Sequence, residues 1–398
     1  MHVIKAALLI FTCILFTTLT GCVGMQSLTS PSNPPGGSSS SDSDPAEIHV
    51  TEYLYTAGGH SISGFNINHD GTLTPLAGSP FAAKNGSSTL KAAQTTLVAG
   101  GHATYVVDPK TGAVSTGTTS FEFARGDVVV DPEGSTMYFV ENIPLHFPPL
   151  EAWRISGTTV TRTGVDHGSL PPGVSWPMQV DPNGNFLYVA RGSAQDVTRP
   201  LFLAVYSRSQ GAVVFSSLTT RGVCGSLTPI NNVIPSAIFA RGNQTFLYFT
   251  CSNTSTLEYT VIDNTTGAVL NSGTISNIPG LPVSGSDDMT VDPSGSFLIM
   301  GNFSAGTVDV YSLDAVTGAP SSQPITRVAV KAPVALRMDA TGTFIYVVDL
   351  CSGGAFTTQC SENSQIFGYS FHKGDLHPLH GSPYKDSIGS FSTALVKP

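Results

Sequence analysis

The sequence predicts an all-β fold, a seven-bladed β-propeller of four-stranded antiparallel sheets, and three observations carry this prediction. A turn phrase, Asp-Pro-x-Gly followed by apolar residues and tyrosine, recurs along the chain. A second phrase, an aromatic strand that ends in a glycine turn, recurs about every 50 residues. A third phrase, Gly-x-Leu-x-Pro-Leu-x-Gly-Ser-Pro-aromatic, occurs near both ends, as GTLTPLAGSPF from Gly71 and GDLHPLHGSPY from Gly374.

The first phrase is typical of a β-hairpin, because proline and glycine occupy turn positions between two alternating apolar strands. Its copies are DPEGSTMYFV from Asp131, DPNGNFLYVA from Asp181, DPSGSFLIM from Asp292 and DATGTFIYV from Asp339. The segment RGNQTFLYF, from Arg241, is a degenerate copy. Each copy therefore predicts two neighbouring strands.

The glycine turns of the second phrase divide the chain into seven units. They lie at intervals of 41 to 56 residues, at Gly71, Gly112, Gly157, Gly211, Gly267, Gly318 and Gly374. Each interval is long enough for four short strands, and no helical pattern of useful length interrupts them. Four-stranded units at this period predict a β-propeller.

The third phrase predicts how the ring closes. Its two copies follow the turns of the first and the seventh unit, which are neighbours in a ring although they lie far apart in the chain. After the second copy the segment STALV (392–396) alternates like one further strand. We expect STALV to pair with the sheet of the first unit, since closure removes the exposed sheet edges that invite aggregation.

The N-terminus resembles a bacterial lipoprotein leader. Lys5 precedes the apolar run AALLIFTCILFTTL, which is too short to span a bilayer comfortably, and LTGC then ends at Cys22. This order predicts a signal peptide over 1–21 and lipidation of Cys22; an ordinary secretory signal is the alternative. Residues 22–46 then read as a Ser/Pro/Gly tether and 47–398 as the propeller. The protein is expected to be exported and lipid-anchored to a bacterial membrane.

Composition narrows the choice of partners. Only 11% of the residues are charged and the formal net charge is −9, so a nucleic-acid partner is excluded.

Four cysteines remain beyond Cys13 and Cys22, and an even number in an exported chain favours disulfides over metal ligands. The expected disulfide cysteines are Cys224, Cys251, Cys351 and Cys360.

The strands FLYVA and FIYVVDL, the segment VDVYSLDAVTGA and the repeated Gly-Ser-Pro phrase resemble the seven-bladed propeller lactonase family. The best-known activity of that family is 6-phosphogluconolactonase. The family has Asp-Leu, Asn-Glu and Asn-Arg pairs at blade ends. Asp349–Leu350 matches the first, Glu141–Asn142 inverts the second, and Ala190–Arg191 keeps the arginine one position early. The family's histidine before an inner strand has no counterpart here.

In such a propeller, the position three residues beyond the repeat tyrosine lies at one end of the central channel. The candidate catalytic residues there are Arg191, facing an oxyanion, and Glu141 or Asp349 as the general base. The candidate ligand-binding residues are Asp127, Asp288, Asn302 and His60. A purely structural ring of ion pairs around the channel is the alternative to a site.

No cofactor and no metal site are expected, with calcium at Asp287–Asp288 as the alternative. The sequence favours a monomeric module that binds a small lactone, a carbohydrate or an envelope protein. A hydrolase of a sugar lactone or related lactone is the second reading, and a structural or assembly scaffold is the third. Export makes the cytosolic phosphorylated lactone an improbable substrate.

Overall fold

The structure is a computed structural model, and it describes residues 52–84, 89–99, 103–120, 126–141, 150–166, 174–192, 201–209, 212–223, 236–251, 255–276, 278, 288–350 and 364–397. Every named element in these stretches is a β-strand. None of them contains a helix with the length and apolar character needed to cross a membrane. The described chain is therefore all-β, which confirms the predicted fold class.

The strands form seven antiparallel sheets, which are the blades. Blade 1 contains β1 (Glu52–Gly58), β2 (Ser61–Ile67), β3 (Leu73–Pro75) and β4 (Phe81–Ala82). Blade 2 contains β5 (Leu90–Ala93), β6 (Thr96–Ala99), β7 (Ala103–Val107) and β8 (Val114–Ser120). Blade 3 contains β9 (Gly126–Val130), β10 (Thr136–Glu141), β11 (Leu150–Ser156) and β12 (Thr159–Asp166).

The remaining blades follow in chain order. Blade 4 contains β13 (Val174–Val180), β14 (Phe186–Gly192), β15 (Leu201–Ser209) and β16 (Ala212–Val223). Blade 5 contains β17 (Ser236–Arg241), β18 (Gln244–Cys251), β19 (Thr256–Asp263) and β20 (Val269–Ile275). Blade 6 contains β21 (Met289–Val291), β22 (Phe297–Asn302), β23 (Thr307–Ser312) and β24 (Thr326–Ala329). Blade 7 contains β25 (Pro333–Met338), β26 (Phe344–Asp349), β27 (Gln365–His372), β28 (Asp375–Pro378) and β29 (Tyr384–Lys385). The last strand, β30 (Ser392–Val396), belongs to blade 1.

The C-terminal strand closes the ring as the sequence predicted. β30 is the segment STALV, and it pairs antiparallel with β1, with Tyr53 opposite Val396 and Ala57 opposite Ser392. It is the inner strand of blade 1, a position that β5, β9, β13, β17, β21 and β25 hold in the other blades. Each inner strand contacts the inner strand of the next blade, and β30 contacts both β25 and β5. The seven inner strands therefore surround one central axis.

The buried carboxylate of Asp386 stabilises the closure of the ring by β30. Its oxygens accept hydrogen bonds from the hydroxyls of Thr56 (2.9 Å) and Ser63 (2.8 Å) in blade 1. They also accept from Ser390 (2.6 Å), just before β30, and from Ser364 (3.1 Å), just before β27. The side chain is completely buried. One carboxylate thus joins blade 7, the closing segment and blade 1, and a buried charge requires such partners.

The duplicated phrase folds in the same way in blades 1 and 7. Gly64 donates its backbone N–H to the Ser79 hydroxyl (2.9 Å), and Gly368 donates to Ser382 (3.0 Å). In each copy a short additional strand, β4 or β29, pairs with the third strand outward, β2 or β27. These two sheets therefore have five strands instead of the predicted four. The phrase recurs because it encodes the same outer edge on two adjacent blades.

The aspartates of the turn phrase are structural carboxylates. Asp131, Asp181, Asp292 and Asp339 are all at least 94% buried. One oxygen of Asp339 accepts from the backbone N–H groups of Thr343 (2.8 Å) and Phe344 (2.6 Å). A carboxylate held in this way satisfies amides that the tight turn would otherwise leave unpaired.

The repeat tyrosines connect one blade to the next. The hydroxyl of Tyr346 in blade 7 donates to the Gly71 carbonyl in blade 1 (2.8 Å), and Tyr248 in blade 5 donates to the Gly318 carbonyl in blade 6 (2.9 Å). Both glycines have positive φ, and a Cβ at Gly71 would lie 2.3 Å from the Phe344 ring. The two recurring phrases of the sequence therefore meet at the contacts between blades.

Candidate functional site

The candidate residues lie at one end of the central axis. At this end, which we call the mouth face, the inner strands begin and the second strands end. The predicted positions fall at the ends of second strands: Gly58, Glu141, Cys251, Asn302 and Asp349 are last residues, and Arg191 is the last but one. Antiparallel pairing sets three of them beside the start of an inner strand: Glu141 is opposite Gly126, Arg191 opposite Ser175 and Asp349 opposite Pro333. The opposite end, the turn face, carries the Asp-Pro-x-Gly turns.

Asp349 and Asn302 are held by neighbouring loops. Asp349 is 1% exposed, and its Oδ1 accepts from the backbone N–H of Ala332 (3.0 Å), which precedes the inner strand of the same blade. Asn302 is completely buried, and its Oδ1 accepts from the N–H of Ala305 (3.0 Å). Burial, with a smaller contribution from the Asp349 charge, raises the pKa of Tyr369 to about 12. Both side chains thus shape the loops of the mouth face, and their catalytic and binding roles stay predictions.

An accessible ion pair lies between the inner strands of blades 6 and 7. Asp288, just before β21, pairs through Oδ2 with the Arg337 guanidinium on β25. The same oxygen accepts from the backbone N–H of Leu336 (3.2 Å), while Oδ1 accepts from Met289 (3.0 Å). The two side chains are 25% and 26% exposed. This pair therefore combines a fixed geometry with access to solvent.

Sequence reasoning missed Arg337. It noted only that the family's histidine before an inner strand has no counterpart here, although an arginine on an inner strand was itself a signal. Phe391 was also missed; it immediately precedes β30, donates its N–H to the Ala57 carbonyl (2.9 Å) and is 42% exposed. His60 lies in the exposed turn between β1 and β2 at the mouth face. The mouth face thus offers an aromatic ring and a histidine among its described side chains, whereas Arg337 lies further along β25, opposite Tyr346, and reaches Asp288 of the neighbouring blade.

The other candidates are located only by their backbone. Asp127 pairs with Val140, and Arg191 pairs with Ser175. The side chains of Glu141, Asp127 and Arg191 lie outside the described part of the chain, so their roles stay predictions.

The predicted modifications fall mostly outside the described residues. Cys22, Cys224, Cys351, Cys360 and Asp287 are not among them, whereas Cys251 is buried at the end of β18. The disulfides, the lipid anchor and the calcium alternative therefore stay predictions.

Comparison with known proteins agrees with this architecture. A family model described as "Lactonase, 7-bladed beta-propeller" matches residues 236–384, which include Asp288, Asn302, Arg337 and Asp349. The chain is a seven-bladed β-propeller, and its residues 236–384 are similar to the lactonase family. No curated protein matches this chain in sequence.

Solved structures share the fold of this propeller at low identity. A Bacteroides fragilis protein assigned as a 6-phosphogluconolactonase has a TM-score of 0.64 at 13% identity, covering 89% of this chain and 100% of that one. The periplasmic gluconolactonase of Pseudomonas aeruginosa has a TM-score of 0.62 at 15% identity, covering 87% and 99%. A Lactobacillus plantarum protein has a TM-score of 0.63 at 17% identity, covering 87% and 100%. At these identities the comparison establishes the fold alone.

Proposed function

We propose that this protein hydrolyses a sugar lactone in the central channel, between the inner strands of blades 6 and 7. The observation that carries the proposal is the accessible Asp288–Arg337 pair, which joins the start of blade 6 to the inner strand of blade 7 inside the segment matched by the lactonase model. Arginine is suited to this position because its planar guanidinium remains charged and binds carboxylates and oxyanions in a fixed orientation. The ligand-binding module that the sequence favoured becomes the second candidate.

Opening a lactone requires a base and an electrophilic partner. The oxygen of a water molecule attacks the carbonyl carbon while a base takes one of its protons, and the carbonyl oxygen becomes an oxyanion. The bond to the ring oxygen then breaks, and that oxygen takes a proton to become a hydroxyl, which leaves a hydroxy acid. We assign Arg337 the role of binding the oxyanion, because a preorganised cation stabilises the charge that develops there. After the ring opens, Arg337 would bind the product carboxylate.

Asp288 is assigned a positioning role. Its oxygens already accept two backbone N–H groups and the guanidinium, which leaves them poorly placed to take a proton from water. The predicted base is Glu141, at the same end of the ring, and Arg191 is a second oxyanion donor. Both assignments rest on strand position.

We further propose that the substrate is an unphosphorylated sugar-acid lactone outside the cytoplasm. The predicted leader and the lipidation of Cys22 would hold the propeller at a bacterial membrane, where phosphorylated intermediates are scarce. The relative from Pseudomonas aeruginosa is itself a periplasmic gluconolactonase.

The test is hydrolysis of glucono-1,5-lactone and of its 6-phosphate by the purified protein, measured above the spontaneous rate. We expect turnover of the unphosphorylated lactone and a fall in kcat/KM of about 100-fold in Arg337→Ala, the loss typical of one oxyanion donor. The matched control is Arg327→Ala, which removes the Arg327–Asp309 pair from the outer part of blade 6 and should leave kcat/KM unchanged.

Two results would contradict the proposal. One is the absence of turnover of both lactones by the parent protein, and the other is equal activity in Arg337→Ala. If the parent binds gluconolactone with no turnover and Arg337→Ala abolishes binding, the module reading replaces the hydrolase.

A further inference from the structure

The turn face contains a polar cleft that the proposed lactonase site does not use. It lies between blades 4 and 5, with a volume of about 630 Å³, and is lined mainly by amides and hydroxyls. Its polar side chains come from Asn183, Asn185, Asn243, Asn264, Ser207 and Thr265. This volume is within the range of small-molecule sites.

The cleft is open because no long side chain crosses from the blade 4 turn to blade 5. Between blades 5 and 6, Arg241 crosses the corresponding space, donating to the carbonyls of Gly295 (2.6 Å) and Ala315. The residue at the same repeat position in blade 4 is Asp181, seven residues before the repeat tyrosine in both blades. Its carboxylate points inward instead, accepting from the Thr245 hydroxyl (2.8 Å), and is completely buried.

The amides that line the cleft are preorganised. Asn264 is 6% exposed and donates through Nδ2 to the Gly242 carbonyl (3.0 Å). Asn185 donates to the Asn264 carbonyl (3.3 Å), and Asn243 accepts from the Thr265 hydroxyl (2.7 Å). Bonds between these residues fix the side chains across the boundary between the two blades, which lowers the entropy cost of binding.

The cleft offers no uncompensated charge to a ligand among the described lining residues. The Arg208 guanidinium that borders it already donates to Asp131 (2.8 Å), to the Tyr138 hydroxyl (2.5 Å) and to the Gly184 carbonyl. Its side chain is only 9% exposed. Recognition would therefore come from neutral donors and acceptors.

We propose that this cleft binds a short neutral oligosaccharide. An amide presents a donor and an acceptor side by side, which matches the paired donors and acceptors of neighbouring sugar hydroxyls. The exposed Asn183, Asn185 and Asn243 supply such groups on both walls. The cleft is a second site, formed by blades 4 and 5, whereas Arg337 lies between the inner strands of blades 6 and 7, and the cleft functions whether or not the protein hydrolyses lactones.

Saturation-transfer NMR on the purified protein tests this, with maltotriose and triacetylchitotriose as probes. We expect transfer to at least one probe and a loss of affinity of at least tenfold in the Asn185→Ala/Asn243→Ala double variant. Asn271→Ala, which removes an exposed amide from the outer strand of blade 5, is the matched control and should bind as the parent does.

Asn183→Trp fills the cleft from an exposed turn position without removing the other amides, and it should also abolish transfer. Arg337→Ala should retain sugar binding, which separates this site from the lactonase site. Absence of transfer to both sugars in the parent would overturn the proposal. So would transfer of equal strength in the double variant and in Asn183→Trp.

Discussion

The carboxylates at the two ends of the propeller differ in what surrounds them. On the turn face, Asp292 and Asp339 are about 5% exposed, and their oxygens accept the backbone N–H groups of their own turns. On the mouth face, Asp288 is 25% exposed and shares its charge with Arg337 of the next blade. The turn-face residues are encoded by the repeat, whereas Asp288 and Arg337 lie outside the repeated phrases.

This difference distinguishes the carboxylates that maintain the fold from those that are candidates for a functional role. A residue that recurs in every blade is explained by the contacts that every blade requires, such as a turn or a contact to the next sheet. A charged residue such as Arg337, which has no charged counterpart at the same position of the other turn-phrase blades and has access to solvent, has no such explanation. The contrast leads to four expectations, which run from the largest effect to the smallest.

The largest effect is expected at Asp386, a mouth-face carboxylate that is buried and hydrogen-bonded like those of the turn face. Asp386→Ala should lower the free energy of unfolding by about 3 kcal/mol or more, because four hydroxyls lose a charged partner in a buried site. Denaturant titration followed by circular dichroism measures this. Ser390→Ala removes one of the four donors and should cost about 1 kcal/mol. Equal stability of Asp386→Ala and the parent would show that the closure does not depend on this carboxylate.

A smaller loss of stability is expected from a turn-face carboxylate. Asp339→Ala should cost about 2 kcal/mol, since it leaves the N–H groups of Thr343 and Phe344 without their acceptor. Lactonase activity per folded molecule should stay unchanged, because Asp339 binds the backbone N–H groups of its own turn and makes no contact with the Asp288–Arg337 pair among the hydrogen bonds described above. A specific loss of kcat in the folded variant would contradict the separation of turn carboxylates from the site.

Substitution of Asp288 should lower activity with little loss of stability, the reverse of the result expected for Asp339→Ala. In Asp288→Asn the amide oxygen can still accept from Leu336, so the free energy of unfolding should change by less than about 1 kcal/mol. The guanidinium of Arg337 loses its fixed orientation, and kcat should fall about tenfold, or 1.4 kcal/mol, with little change in KM. Steady-state kinetics and denaturant titration on the same preparation measure both. A large loss of stability with unchanged kcat would make the pair purely structural.

The smallest effect is expected at Glu52, a buried carboxyl where blade 1 meets blade 7. Burial raises its pKa, the N–H of Ala340 opposes that shift, and the nearby Asp339 charge adds to it. A raised pKa means that the folded state holds the proton more tightly than the unfolded chain. The stability this contributes is present below the unfolded pKa and lost as the pH rises through the folded pKa.

Glu52→Gln should therefore be more stable than the parent at pH 7, and the difference should disappear as the pH falls below about 4.3. Thermal unfolding at several pH values measures this. Asp263→Asn is the control of opposite sign, because hydrogen bonds from Thr266 and Thr265 lower the pKa of Asp263. The Asp263→Asn variant should be less stable than the parent at pH 7 and as stable as the parent in acid. A difference for Glu52→Gln that grows in acid would refute the assignment.

The sequence predicted the fold better than it predicted the site. Blade number, ring closure by STALV and the adjacency of the duplicated phrases all follow from repetition, because each blade solves the same packing problem with the same residues. Asp288 was found from its place before an inner strand. Arg337 was not found, since its importance depends on a contact between two blades that are linked through 48 residues of chain. The cleft between blades 4 and 5 was also missed, because it results from a side chain that is short at one position.

The most direct test of the central claim is a crystal structure of the protein with gluconate, the product of gluconolactone hydrolysis. We expect the gluconate carboxylate between the inner strands of blades 6 and 7, within hydrogen-bonding distance of the Arg337 guanidinium, with Asp288 still holding that guanidinium. Gluconate bound elsewhere, or an Arg337 side chain that makes no contact with it at saturating concentration, would contradict the claim.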